Sequence, residues 1–166
     1  MLTIIQRIEW FIGLALLQVL VLNRVHIDGY ATPFFFIYFI LKYNSGASRN
    51  VLMTWAFLLG LTVDVCSNTA GMNAAAATLL AFLREPILRG VTLRDSADDF
   101  EPSVRTMGFS SFFRYILLCC CLFCTVQVLI DTFSFFRISI LLLKILTDIS
   151  STLICILCAE AIRRKA

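Results

Sequence analysis

Six runs of apolar residues, 8–22, 33–41, 51–66, 71–83, 112–130 and 138–161, take up most of this chain. They restrict its fold more than any single motif does. Hydrophobic residues fill 60% of the 166 positions, against about 45–50% in soluble domains. A globule of this length leaves a large share of its surface in water and cannot hide so much apolar area. The solvent that accommodates it is lipid. The expected fold is all-α, a polytopic membrane helix bundle of about six transmembrane helices, forming one domain over residues 1–166. A helix needs about 20 residues, within a range of about 17–25, to cross a flat bilayer. The first, fifth and sixth runs fit and the third is marginal. The second and fourth are short enough to call for thinning, tilt or a half-span.

Lys and Arg collect on the cytoplasmic side of membrane proteins and so set the orientation. With the N-terminus inside, eleven of the fourteen Lys and Arg face the cytoplasm, and only Arg24, Arg137 and Lys144 face out. Six crossings bring the C-terminus back inside, where Arg163, Arg164 and Lys165 anchor it. The first run has a basic start, but its exit, LNRVHIDG, offers no small-x-small cleavage site. It is expected to remain as a first helix. The long loop, 85–111, falls inside. It opens on Glu85-Pro86, where proline disfavours continuation of a helix. It closes on MGFSSFFRY, an aromatic and basic anchor for the next helix.

Polar residues inside these runs are few and therefore informative. A carboxylate at the centre of a membrane helix costs about 2.5–3.5 kcal/mol on insertion scales, so it normally faces protein or water. Asp64 is the clearest case. Ser67, Asn68 and Thr69 follow it and are suited to cap a helix beginning near Gly71. Asp64 is expected to accept hydrogen bonds from that helix start, whose free N–H groups carry partial positive charge, or from Asn73. Either would close the third and fourth runs into a tight hairpin. A ligand, a proton or a partner helix are the other readings of the same carboxylate. The small residues Ala74–Ala77 let helix backbones approach closely in lipid. Lys144 and Asp148, four apart on one helix face, are expected to pair with each other; an anionic headgroup or ligand near Lys144 is the alternative. Glu160 is expected as a solvated partner of Arg163 and Arg164. Glu9, Gln18 and Gln127 mark faces turned into the bundle.

Reactive groups are sparse. All seven cysteines lie in or beside apolar runs, and no loop holds two. A disulfide framework or zinc site is not expected. Cysteines in such a setting, including the run CCCLFC, act as small hydrophobes. His26 is the one histidine, in an outer loop. The chain has no HExxH pattern, nucleophile elbow or P-loop. Asp64 and Asp148 stand in no protease motif. No catalytic residue, metal or cofactor is expected, and no nucleic-acid partner, since no basic face carries base-reading or stacking groups.

The stretch GLTVDVCSNTAGMNAAAATLLAFLRE brings these features together. Gly60 is followed by an acid four residues on, a polar turn at 67–69, Gly71, a small-residue run and an apolar helix ending in Arg84. With the earlier PFFFIYFIL, this resembles the rod shape-determining protein MreD family, over residues 32–84. The resemblance implies a fold like the substrate-binding membrane component of energy-coupling-factor vitamin transporters, and a non-catalytic role in the bacterial cytoplasmic membrane. The implied partners are MreC and, through it, the MreB filament, RodA and a class B penicillin-binding protein, all within surrounding membrane lipids. Gly60, Asp64, Asn68, Gly71, Asn73, Lys144 and Asp148 are the candidate structural or partner-binding residues. A vitamin-binding transporter component of similar fold is the rival reading.

Overall fold

The computed structural model describes residues 4–22, 32–92, 100–131 and 138–165. His26, Arg24, Arg137 and the acidic residues at 95–99 lie outside them. The described residues form seven helices and no strand. These are α1 (Ile4–Leu20), α2 (Ile37–Lys42), α3 (Arg49–Ser67), α4 (Met72–Val91), α5 (Val104–Met107), α6 (Phe109–Asp131) and α7 (Ile138–Lys165). Among the described residues, three stretches are both long and apolar enough to cross a membrane: α3, α6 and residues Leu141–Arg163 of α7. The protein is a helical membrane protein. Its outward surface carries the residues that lipid favours, including Leu20, Val65, Leu118, Leu146 and Ile162, all at least half exposed.

The second apolar run becomes the centre of the molecule. Only five of its residues, 37–41, are helical, and with Lys42 they make up α2, all six residues of which are buried. Before them, residues 32–34 are non-helical and 35–36 form a turn. Phe34 and Phe36 pack edge-on against Phe123 of α6. Phe39 meets Phe11 of α1 and Trp55 of α3. A short helix leaves most of its end N–H and C=O groups unpaired. Water cannot reach these, so side chains supply the partners. The Phe34 N–H donates to the Thr152 hydroxyl at 3.0 Å. Gln18 donates to the Pro33 carbonyl at 3.0 Å and accepts from the Phe36 N–H at 3.3 Å. At the other end, Arg84 donates to the Leu41 and Tyr43 carbonyls, and the Tyr115 hydroxyl donates to Leu41 at 3.2 Å. Non-helical backbone at membrane depth persists only where protein or a cavity satisfies it in this way.

α4 runs through Pro86 to Val91, so the loop expected from residue 85 starts about two turns later. Proline removes one helical hydrogen bond. Packing on the stripe Asn73, Ala77, Leu80, Arg84 and Leu88, all buried, outweighs that loss. Within the rest of the expected loop, Ser103 and Thr106 form a capping box around α5, and α6 begins at Phe109.

α3 and α4 form the closest helix pair. A Cβ added to Gly60 would lie 2.5 Å from the Ala74 Cα and 2.7 Å from the Asn73 carbonyl oxygen. Backbone, not a flexible side chain, occupies that space, so a methyl group must push the helices apart. Gly60→Ala is expected to destabilise the protein by about 1–3 kcal/mol, the range for overpacking. A thermal unfolding series in detergent, with Gly13→Ala as the control that meets nothing within 4 Å, measures this.

Candidate functional site

Asp64 sits near the end of α3 and is 1% exposed. Its Oδ1 accepts from the Thr69 hydroxyl at 2.5 Å, the Asn73 backbone N–H at 3.1 Å and Asn73 Nδ2 at 2.9 Å. Its Oδ2 accepts from the Ala74 backbone N–H at 2.8 Å. Asn73 and Ala74 stand in the first turn of α4, where free N–H groups and the helix dipole favour an anion. The expected bond from Asp64 to this helix start, and the one to Asn73, are both present. Capping by Ser67, Asn68 or Thr69 is not. Gly71 occupies the N-cap position at φ 80° and has no side chain to offer, so a carboxylate from the preceding helix does the capping. Asn68 ends α3 instead, in the left-handed region at φ 54°. Asparagine tolerates that conformation better than other non-glycine residues. Gly60, Asp64, Asn68, Gly71 and Asn73 thus form one clasp between α3 and α4. Four donors occupy the carboxylate, which leaves it suited to holding structure.

Lys144 and Asp148 do not pair as expected. Lys144 reaches Asp131 at the end of α6, 2.5 Å away. Asp148 is 1% exposed and accepts the Thr32 N–H at 2.8 Å. Spacing by four places two residues on one face, but a long lysine also reaches across to the neighbouring helix. The non-helical start of the second run needs an acceptor, and Asp148 provides it. Asn73, Lys144, Asp148, Asp131 and Gln127 line one cavity of about 540 Å³, where the ends of α1, α3 and α6 meet the starts of α4 and α7. Asp64 is not among its lining residues, so the two aspartates share no open site.

Glu160 also differs from expectation. It is 7% exposed and forms an ion pair with Lys42 at 3.3 Å. It further accepts from the Tyr38 hydroxyl at 2.9 Å and the Val104 N–H at 3.3 Å. Arg163 pairs instead with Glu101 at 3.6 Å. Lys42 at the end of a buried helix draws the carboxylate inward, because a charge removed from water needs a close partner. Cys119, Cys120 and Cys124 are core residues.

Sequence reasoning missed Arg84 as a binding group. It is 3% exposed, donates from Nε to the Tyr115 hydroxyl at 3.0 Å, and holds the α2 carbonyls. The signal was present: Arg84 lies on the same helical stripe as Asn73, Ala77 and Leu80. Nothing comparable marked Thr152 or Asp131, whose partners are distant in sequence. No family model, curated protein or solved structure matches this chain.

Proposed function

We propose that the protein is a non-catalytic membrane subunit of the bacterial cell-elongation complex, of the MreD type, acting in cell shape and peptidoglycan synthesis by holding an MreC-like partner. The observation that carries this reading is the clasp. Gly60, Asp64, Gly71 and the small residues after Asn73 carry the family resemblance, and the same residues lock α3 to α4 by backbone contact and buried hydrogen bonds. A carboxylate whose two oxygens both hold hydrogen bonds to the turn and the next helix suits a rigid docking body better than a chemical step.

Six crossings fit the chain path. The second run enters beside Asp148 at one end of the bundle and leaves beside Arg84 at the other. About twelve helical residues would reach only about 18 Å. Non-helical and turn residues rise more per residue, which lets this short run cover more of the bilayer. The end opposite the clasp gathers Lys42, Arg49, Arg89, Arg105 and Arg163. That distribution supports a cytoplasmic location for this end and for both termini.

Depleting the protein in its source bacterium tests the reading. Rod cells that turn round, with small-molecule uptake intact, are the expected result. Unchanged shape with lost uptake of a vitamin contradicts it and favours the transporter-component reading, for which the 540 Å³ cavity speaks.

A further inference from the structure

Glu9 departs from the expectation that it faces the bundle. Helical residues turn about 100° each, so the steps from Glu9 to Gln18 set the two on opposite faces of α1. Gln18 is buried and Glu9 is exposed. Every other acid among the described residues is held: Asp64, Glu85, Glu101, Asp131, Asp148 and Glu160 each accept a hydrogen bond or join an ion pair. No described residue pairs with Glu9.

Glu9 shares its face with Gly13, Leu16 and Leu20, all exposed. Steps of four, three and four residues are those of a helix–helix seam. A Cβ added at Gly13 would meet nothing within 4 Å, so the packing of this chain does not call for glycine there. In lipid, small residues mark places where another helix backbone comes close, and a polar side chain on the same stripe bonds across to it. Ile12, Leu16 and Leu20 are each at least half exposed and supply the apolar contact beside the notch.

Glu9 also decides what fits this face. It lies about 8 Å along the axis from the helix start at Ile4, level with Arg7 and Trp10, which bond to Tyr43 and stack on Tyr38. On the proposed orientation this is the cytoplasmic level, where anionic lipid repels a carboxylate. A second copy related by a two-fold axis along the membrane normal would set Glu9 against Glu9, and like charges so placed are costly. A helix with a cation at that level answers both the charge and the notch.

We propose that the outward face of α1, along Glu9, Gly13, Leu16 and Leu20, seats a membrane-spanning helix of a different protein, packed over Gly13 and carrying a Lys or Arg that pairs with Glu9. This rests on the docking role and names the surface through which it acts.

Photo-crosslinking of the full chain in its source cells tests the surface. The photoreactive amino acid p-benzoylphenylalanine replaces Leu16, or Leu146 on the outward side of α7 as a control, and adducts are identified by peptide mass. The expected result is an adduct from position 16, and not from 146, to a membrane-spanning segment with a Lys or Arg at the depth of Glu9. Glu9→Lys is expected to cut its yield about tenfold or more, and changing the partner's basic residue to Glu restores it. Gly13→Leu is expected to lower the yield comparably by filling the notch. Neither variant removes a contact within the fold, so the thermal midpoint in detergent does not fall, and rescue by the partner's charge reversal separates lost docking from misfolding. Adducts between two copies, adducts to lipid alone, a captured segment without a basic residue, or a yield indifferent to Glu9→Lys overturns the proposal. Capture of a partner from position 146 instead of 16 overturns this face and leaves the docking role standing. Capture of no protein from either position, with none retained on purification, overturns both.

Discussion

Asp64→Ala is expected to lower the unfolding free energy by about 3–5 kcal/mol, since it strands several buried donors at once and each costs about 1–3 kcal/mol. The Asn73 and Ala74 backbone N–H groups, the Asn73 amide and the Thr69 hydroxyl all lose their acceptor. The three donors on Asn73 and Ala74 are buried. The α4 start also loses its anionic cap, which is worth about 0.5–2 kcal/mol when supplied by an ordinary N-cap residue. Asp64→Asn keeps one acceptor oxygen but turns an amide toward the remaining donors, so it is expected to fall between the wild type and alanine. Reversible unfolding in mixed micelles, followed by the fluorescence of Trp10 and Trp55, measures the series. Alanine behaving like the wild type would show that the clasp does not hold the helices.

Arg84→Met is the second large effect, with an expected loss of about 2–4 kcal/mol from buried carbonyls left without donors. The guanidinium serves the Leu41 and Tyr43 carbonyls and the Tyr115 hydroxyl together. Methionine retains the length and the apolar stem but none of the donors. Arg84→Lys is expected to recover only part of the loss, because one ammonium cannot reproduce the planar fork. Loss of the α2 anchor has a distinct signature. Protease cleavage or cysteine labelling introduced near residue 44 should increase at the α2 end while the α3–α4 clasp stays protected. The same unfolding assay, read beside that labelling, separates a local opening from global collapse.

Both effects show how far sequence reached. The clasp was legible because its parts are local: Asp64, the polar turn and Asn73 lie within ten positions, and a carboxylate before a helix start has few other partners. Even so, the choice of Gly71 as N-cap was not visible, since it depends on a left-handed turn that the preceding residues do not announce. The apolar runs located the helices because lipid demands long hydrophobic stretches. The interior of the second run stayed hidden. Its breakdown into non-helical residues and five helical ones depends on Gln18, Thr152, Asp148, Arg84 and Tyr115, which arrive from four other helices. Pro86 misled for a related reason: proline is a local penalty, whereas the buried stripe that overrides it is a tertiary gain. Lys144 and Glu160 found partners across helices, where spacing along one helix carries no information.

The central claim is that this bundle works by holding a neighbour in the membrane. Affinity purification of the full chain from its source cells in mild detergent, with identification of the proteins retained, tests it most directly. The account predicts recovery of an MreC-like protein, with RodA and a class B penicillin-binding protein beside it, and loss of that recovery in Asp64→Ala. Recovery of an ATPase pair in their place, or of the wild-type chain alone under conditions that keep other membrane complexes intact, would contradict it.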